Sequence, residues 1–193
     1  MVEVPVKLYV QGLAKKAKDA ARPLARLSNF QRGQALEAMM QAFHENKDSF
    51  LDANRRDLDQ ISKDIEKQVY RQKVEKVRIT AESLEKMGQW FQHVVECADP
   101  LGETSQMWMT TDGMQVGRVR APLGVVAVVS DMAPHVALEA FSMCVKTGNV
   151  CIYRGGTEWF ETNKAIADCL MKAGSEAGLP EGALTFIDRS QPE

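Results

Sequence analysis

The sequence predicts an α/β fold, in which N-terminal helices precede a β-hairpin and a partial Rossmann-like parallel sheet of three strands. Two observations predict it. Up to about residue 98, Ala, Leu, Met and Phe recur three and four residues apart among Lys, Glu and Gln, which is the period of amphipathic helices. After residue 100, short apolar runs alternate with helical segments of crossover length, which is typical of parallel strands joined by helices.

The first half of the chain is predicted to form four helices. Their apolar stripes cover residues 11–26, 29–50, 47–59 and 69–97. Ser28 is suited to be the N-cap of the second helix, because its hydroxyl can accept from a free backbone N–H. The segment from Lys63 to Arg78 is rich in charged residues, and we interpret it as a solvated helix face or connector.

A β-hairpin is predicted within residues 104–121. The segments Trp108–Thr111 and Met114–Val119 favour strands, and Asp112-Gly113 between them favours a two-residue turn because glycine tolerates positive φ. We interpret the large apolar side chains of Trp108 and Met109 as an interaction surface.

Three apolar runs without polar alternation follow, which is typical of strands buried on both faces. They cover residues 124–129, 149–153 and 183–187. Helices are predicted between them over residues 134–146 and 159–177, and Gly178 and Pro180 end the second of these helices. We therefore expect a single domain made of a helical region, the hairpin and a partial nucleotide-binding βαβαβ unit, over residues 11–98, 104–121 and 122–193.

Composition excludes several classes of protein. The 193 residues carry 24 Lys+Arg against 26 Asp+Glu, and a net charge of −2 gives no support for wrapping nucleic acid. No apolar run approaches the roughly 20 residues that span a bilayer, and no signal peptide is visible, so we expect a cytoplasmic protein. Three histidines and no CxxC spacing argue against a metal site. All four cysteines are predicted to be reduced core thiols: Cys97, Cys144, Cys151 and Cys169.

Polar residues follow two of the predicted parallel strands. The first turn runs from Ser130 to His135, and Pro134 would open the next helix; the second is Arg154-Gly155-Gly156-Thr157-Glu158. Helix N-termini after parallel strands favour anions, and a glycine pair lets a ligand approach the backbone, so both turns are candidates for a nucleotide site. A plain tight turn with a local ion pair between Arg154 and Glu158 is the alternative.

Four ordered blocks of the chain resemble gamma-glutamyl phosphate reductase, the glutamate-5-semialdehyde dehydrogenase of proline synthesis and a member of the aldehyde dehydrogenase superfamily. They are Lys15 to Asp57, MQVGRVRAPLGVVAVV from Met114, KTGNVCIYRGGTEWFETN from Lys146 and AGLPEGALTFIDR from Ala177. The resemblance implies the aldehyde dehydrogenase fold, with an NADP-binding domain, a catalytic domain and a hairpin used for oligomerisation. It also implies an oxidoreductase that reduces gamma-glutamyl phosphate.

The resemblance assigns a cofactor role to the second glycine turn, because an RGGSE-like turn in that family holds the adenosine ribose and its phosphate. The implied cofactor-binding residues are Arg154, Gly155, Gly156, Thr157 and Glu158. Ser130 is added to this set because it follows the first predicted parallel strand. Arg154 suits the 2′-phosphate of NADP, whereas Glu158 suits a free ribose hydroxyl. The residues alone leave NADP and NAD both open.

The chain also departs from the family pattern. Family members run on for more than as much chain again, and that part holds the cysteine nucleophile which the chemistry requires. Where the family reads YESRPNV, this chain reads SDMAPHV from Ser130. His135 thus replaces an asparagine suited to stabilise an oxyanion, and Asp131 and Ala133 replace the flanking Glu and Arg. We interpret His135 as a polar substitution in an unconstrained pocket, with a general base or ligand as the alternative.

These departures lead us to predict a short, noncatalytic relative, a pseudoenzyme that acts as a binding, scaffolding or regulatory module. It would oligomerise or dock on a protein partner through the hairpin and the sheet edge, and NADP binding would be residual; no residue is assigned as catalytic. The alternative is the NADPH-binding half of a split or truncated reductase, or an expression fragment of an intact one. Trp159 and Phe160 would cover the open face of the sheet or fill the adenine pocket.

Overall fold

The computed structural model describes residues 5–64 and 74–188. The first half contains α1 (Val6–Arg26), α2 (Asn29–Glu45), α3 (Lys47–Asp64) and α4 (Ala81–Glu96). A hairpin of β1 (Thr104–Met109) and β2 (Gln115–Val119) follows. The rest alternates: β3 (Val125–Ser130), α5 (His135–Lys146), β4 (Val150–Gly155), a short 3₁₀ turn (Thr157–Trp159), α6 (Phe160–Glu176) and β5 (Leu184–Phe186). The predicted α/β fold is confirmed.

The strands form two separate sheets. β3, β4 and β5 lie side by side in chain order and are parallel, with Val125 opposite Val150 and Cys151 opposite Leu184. This arrangement is the βαβαβ unit that the sequence predicted, with α5 and α6 as its crossovers. β1 and β2 pair antiparallel in a sheet of their own.

The main core lies between the sheet and the helices. The ring of Tyr153 on β4 is fully buried and contacts Phe141 of α5 and Phe186 of β5, with ring centroids 6.1 and 6.2 Å apart. α5 and α6 therefore cover the face of the sheet that bears Tyr153. Phe160, at the start of α6, continues this row, since its ring centroid lies 6.0 Å from that of Phe186.

The prediction of one continuous helix over residues 69–97 is wrong. Residues 65–73 lie outside the described residues, and residues 78–80 are not helical, so that α4 begins only at Ala81. Asn54 explains the break. Its buried amide donates to the carbonyl of Val77 (2.9 Å) and accepts from the N–H of Ile79 (2.8 Å), which takes two backbone groups that a continuous helix would pair internally.

Thr80 fixes the new helix start. Its hydroxyl accepts from the backbone N–H of Ser83, and the Ser83 hydroxyl accepts from the N–H of Thr80, which is a reciprocal capping box. Ser28 caps α2 with Gln31 in the same way, as the sequence predicted for Ser28. α2 ends at Glu45 and α3 starts at Lys47, so the stretch predicted to be helical to residue 50 is divided at Asn46.

The hairpin has a three-residue loop, so the predicted two-residue turn is wrong. The last antiparallel hydrogen bond runs from the N–H of Thr110 to the carbonyl of Met114, and the N–H of Gly113 donates back to the carbonyl of Thr110. Gly113 has φ of +85°, which fits a type I turn closed by a left-handed glycine. A glycine is needed at residue 113 as predicted, but Gly113 is the third residue of a three-residue loop and not the second residue of a two-residue turn.

The prediction that all three parallel strands are buried on both faces is wrong for β3. Val125 and Val129 are 39% and 75% exposed, whereas the alternate residues Val126 and Val128 pack against the core. In the parallel register, Val126 lies opposite Cys151 and Val128 lies opposite Tyr153. These four residues therefore share the face of the sheet that α5 and α6 cover. The predicted role of Phe160 as a cover for the open face of β3 is therefore wrong, because its ring packs on Phe186 instead.

Candidate functional site

The predicted binding residues come together at the carboxyl edge of the parallel sheet. Ser130 ends β3 and lies opposite Gly155, the last residue of β4, in the strand register. Arg154 precedes Gly155 on β4. Gly156 leads into the 3₁₀ turn that contains Thr157 and Glu158. Ligands in open α/β sheets bind at this edge, so the fold brings all six residues to one plausible location.

The glycine pair is required by packing. A Cβ on Gly155 would lie 2.2 Å from Nδ2 of Asn163, and a Cβ on Gly156 would lie 3.3 Å from the backbone of Asp131. From the sequence, the pair is predicted to allow close approach of a ligand. The structure gives a reason inside the protein: these glycines let the β4–α6 turn lie against α6 on one side and against the β3–α5 turn on the other.

Two buried donors flank this turn without a hydrogen-bond partner among the described residues. They are Nδ2 of Asn163, beside Gly155, and Nε1 of Trp159, whose ring lies next to Gly156. Asn163 is fully buried and accepts through Oδ1 from the hydroxyl of Tyr153 (3.3 Å). Unpaired buried donors are costly and uncommon, and such groups are frequently associated with function.

The N-terminus of α6 is already capped from within the protein. Asp57 of α3 accepts from the backbone N–H groups of Glu161 and Thr162, both at 2.9 Å, and from the Thr162 hydroxyl. Burial raises the pKa of Asp57, against the opposing effect of these hydrogen bonds. Sequence reasoning missed Asp57, because its partners lie more than 100 residues away and no local pattern marks it. By contrast, α5 begins after Pro134 with no side-chain cap.

Trp159 joins the turn to the helical half of the chain. Its side chain is buried against Ile61 of α3 and Val77, with Ala133 of the β3–α5 turn also in contact with this cluster. The Nζ of Lys76 lies 5.8 Å from the ring centroid, within the range of a cation–π contact. Trp159 was predicted to cover the open face of the sheet or to fill the adenine pocket. The structure instead packs its ring against Ile61 of α3 and Val77.

One cavity of about 370 Å³ opens beside the β3–α5 turn. His135, at the first position of α5, and Glu139 lie on one wall, and Met87 and Trp90 of α4 lie on another. Sequence reasoning singled out His135 but missed the α4 residues, whose spacing is equally typical of a core stripe. The tertiary structure turns part of that stripe into a cavity wall.

A second cavity, of about 590 Å³, adjoins the glycine turn on the side of α3. Thr157 and Glu158 line it from the turn, and Phe160 and Glu161 line it from the start of α6. The α3 residues on its wall are Arg56, Asp57, Asp59, Gln60 and Ile61. Two of the predicted cofactor-binding residues, Thr157 and Glu158, therefore border an open cavity.

The buried and partly buried cysteines are unsuited to nucleophilic catalysis in this arrangement. Cys144 and Cys151 are buried, and both the hydrogen bond to Cys144 and burial raise the pKa of Cys151. Burial also raises the pKa of Cys169. The raised pKa values of Cys151 and Cys169 favour the protonated thiol, whereas the hydrogen bond with Cys151 lowers the pKa of Cys144, which is buried away from any substrate. The prediction of four core thiols is wrong for Cys97, which is exposed after the end of α4 with its Sγ 3.8 Å from Nε2 of His93.

Two negative findings concern the described residues only. Within residues 5–64 and 74–188, no group of three or more His, Cys, Asp or Glu side chains could hold a metal ion. In the same part of the chain, no helix is both long enough and apolar enough to cross a membrane.

The parallel βαβαβ unit with a glycine turn at its carboxyl edge defines the class of Rossmann-like α/β proteins. The profile of the aldehyde dehydrogenase family matches residues 8–193, so the chain belongs to the aldehyde dehydrogenase family. Among curated relatives, gamma-glutamyl phosphate reductase of Moorella thermoacetica is 36% identical over 188 residues, which are 97% of this chain and 44% of that protein. The enzyme of that name from Rhodopseudomonas palustris (strain TIE-1) is 38% identical over 91% of this chain and 40% of its own length.

Solved structures agree with these relatives. The crystal structure of gamma-glutamyl phosphate reductase from Thermotoga maritima superposes with a TM-score of 0.83 at 25% identity, over 94% of this chain and 43% of that one. The Saccharomyces cerevisiae enzyme gives a TM-score of 0.81 at 27% identity, over 92% and 46%. The resemblance to the gamma-glutamyl phosphate reductases is therefore confirmed. The chain spans a little under half the length of these relatives.

Proposed function

We propose that this chain forms the nucleotide-binding part of a glutamate-5-semialdehyde dehydrogenase that reduces gamma-glutamyl phosphate with a nicotinamide dinucleotide. One observation carries the proposal: the family's glycine turn lies at the carboxyl edge of the parallel sheet, beside Ser130 at the end of β3 and Arg154 near the end of β4. A cofactor rich in acceptor oxygens suits that edge. The comparisons favour this function over the predicted noncatalytic scaffold, which they do not support.

The residues at the edge fit a dinucleotide in chemical type. Ser130 and Thr157 offer hydroxyls, Arg154 offers a guanidinium, and Glu158 offers a carboxylate for a ribose hydroxyl. Gly155 and Gly156 leave no side chain between the turn and its neighbours. The cofactor would supply hydride; these side chains would bind and orient it.

The thiol for acyl transfer is best sought outside the described segment. Cys144 and Cys151 are buried in the core, Cys169 is partly buried, and Cys97 follows the end of α4 and is not among the described residues that line the 370 Å³ cavity. We propose that a further segment, in the same or a second polypeptide, contributes the nucleophile. His135 would then border the substrate, because it lines that cavity beside the β3–α5 turn.

Cofactor titration tests the proposal. Reduced and oxidised nicotinamide dinucleotides are titrated against the purified chain by calorimetry, with the quenching of tryptophan fluorescence as a second readout, because Trp159 adjoins the turn. Saturable binding is expected, and it should weaken in Arg154→Ala and in Ser130→Ala but stay unchanged in Lys164→Ala, an exposed cation further along α6. A flat titration at millimolar cofactor would favour the noncatalytic scaffold instead.

We also propose that the hairpin is the contact surface for a second copy of the chain or for the protein that completes the enzyme. Trp108 and Met109 are 44% and 65% exposed, and the flanking Met107 and Met114 are exposed as well. A two-stranded ribbon with so much apolar surface is marginal alone and typical of an interaction site. A cytoplasmic location, which the sequence analysis predicted, stays a prediction.

A further inference from the structure

We propose that Asn54 is a positioning residue for the proposed cofactor site, because it links the wall of the 370 Å³ cavity to the helix that follows the glycine turn. The proposal rests on the proposed function, since it concerns the same site. Asn54 is 2% exposed and, among the described residues, lines neither that cavity nor the 590 Å³ cavity. It would therefore act through its neighbours and not by touching a ligand.

The side-chain amide of Asn54 forms hydrogen bonds in two directions. On one side, Nδ2 donates to the carbonyl of Val77 (2.9 Å) and Oδ1 accepts from the N–H of Ile79 (2.8 Å). On the other side, Nδ2 donates to the hydroxyl of Thr162 on α6 (3.3 Å). One buried side chain of α3 thus joins two segments that begin 23 and 108 residues further along the chain.

Thr162 extends this link to the first turn of α6. It is fully buried, and its hydroxyl donates to Oδ2 of Asp57 (2.5 Å), which also accepts from the N–H groups of Glu161 and Thr162. Asn54 and Asp57 are three residues apart on α3, which places them on one face of that helix. A buried network of this kind favours a single arrangement of the elements that it joins.

Both ends of the network border the proposed site. Val77 and Ile79 line the 370 Å³ cavity, and so does Trp159, the last residue of the 3₁₀ turn that follows Gly156. The Trp159 ring is buried against Val77, and Nζ of Lys76 lies 5.8 Å from the ring centroid. A shift of this segment relative to α6 would therefore displace Trp159 and the glycine turn that precedes it.

The expected effect of Asn54→Ala follows from these contacts. The substitution removes all three hydrogen bonds of the amide, so that the cavity wall and α6 are no longer held together. If the competent arrangement is then present in about a tenth of the molecules, the dissociation constant for a dinucleotide rises about tenfold. This loss occurs although no group that touches the ligand has changed.

The experiment measures two properties of the whole chain. The first is the dissociation constant for NADH by calorimetry. The second is the hydrogen exchange of the buried indole N–H of Trp159, whose NMR signal is assigned with Trp159→Phe. We expect Asn54→Ala to weaken NADH binding about tenfold and to speed the indole exchange about tenfold, because the region around Trp159 opens more often. The exchange measurement needs no ligand.

Three further variants separate positioning from a general loss of stability. Val145→Ala is the stability control, because Val145 is fully buried near the end of α5 and takes no part in the network. Thr162→Val removes the hydroxyl that Asn54 and Asp57 share, and it should act like Asn54→Ala. Thr162→Ser keeps the hydroxyl and should bind NADH and exchange like the unmodified chain.

Two results would count against the proposals, and they are distinguishable. If Asn54→Ala matches Val145→Ala in both measurements, the positioning role of Asn54 is overturned and the proposed function stands. If the unmodified chain does not bind NADH, the proposed function is overturned, and the indole exchange alone decides the link between cavity wall and turn. Equal exchange in Asn54→Ala and Val145→Ala would then overturn that link as well.

Discussion

At the scale of single residues, Gly155 shows how packing and function meet at one position. Gly155→Ala places a methyl group 2.2 Å from the side-chain nitrogen of Asn163, which is fully buried and cannot move aside without disturbing α6. We expect a loss of about 1–3 kcal/mol in the free energy of unfolding, which is usual for an overpacked core. Urea denaturation measures it.

Gly33→Ala is the control for that substitution. Gly33 lies inside α2, and a Cβ there would meet nothing within 4 Å. Because alanine is the better helix former, stability should rise by up to about 1 kcal/mol. A Gly155→Ala variant as stable as the unmodified chain would show that the turn can yield, and it would contradict the packing account of the glycine pair.

Asp57 carries a second prediction at this scale. Asp57→Ala removes the acceptor of two backbone N–H groups at the start of α6, and we expect it to cost about 1–2 kcal/mol, as loss of a helix cap does. Asp59→Ala, on the exposed side of the same helix, should change stability by less than about 0.5 kcal/mol. Similar losses in both variants, measured by thermal unfolding, would rule out capping as the cause.

The raised pKa of Asp57 also predicts that the free energy of unfolding depends on pH. Because its pKa is raised above the ordinary value of 3.8 in the folded chain, the folded state binds more protons than the unfolded state in the window above that value. The contribution of Asp57 to stability is therefore fully present below 3.8 and decreases as pH rises through the folded pKa. We expect the difference in unfolding free energy between the unmodified chain and Asp57→Asn to fall from acid to neutral pH. A difference that grows with pH would mean that the pKa is lowered.

At the scale of elements, the start of α4 tests whether a capping box determines where a helix begins. Thr80→Ala breaks the capping box with Ser83, and a loss of about 1 kcal/mol is expected. Thr111→Ala, in the exposed hairpin loop, is the control and should be neutral. If chemical denaturation finds no difference between the two variants, α4 does not depend on its cap, and the break at residues 78–80 is set by Asn54 alone.

Elements with strong local patterns were predicted well. The capping residue Ser28, the three parallel strands and the helix stop at Gly178 all depend on neighbours within a few residues. The failures have a common cause. The break before α4 depends on Asn54, more than 20 residues away, and the exposure of β3 depends on which strands and helices cover it. A periodic pattern cannot report such contacts.

At the scale of the whole molecule, the hairpin predicts how the chain associates. We expect light scattering to find a mass above the 21.5 kDa of one chain, and we expect Trp108→Ser with Met109→Ser to lower it to that of a single chain. The unfolding midpoint measured on the single chain should change little, because these side chains are exposed and lie on a ribbon that forms its own sheet.

Gln106→Ser is the control, since it alters an exposed polar side chain of the same strand and should leave the mass unchanged. A single-chain mass for the unmodified protein would contradict self-association and leave a different protein as the partner of the hairpin. An unchanged higher mass in the double variant would locate the contact elsewhere, with the exposed face of β3 as the next surface to test.

The sequence by itself determined the helical first half, the hairpin, the parallel βαβαβ order and the resemblance to the gamma-glutamyl phosphate reductases, because each depends on local period or on ordered residue blocks. It also named the six residues at the carboxyl edge of the sheet. The tertiary structure alone decided that Asp57 caps α6, that Asn163 and Trp159 flank the glycine turn, and that carboxylates gather around Glu158. The Asp57 cap and the grouping of α3 carboxylates with Glu158 join residues far apart in the chain, so their complementarity exists only once folding has placed them side by side. Trp159 and Asn163 are close to the glycine turn in sequence, but only packing buries their donors beside it.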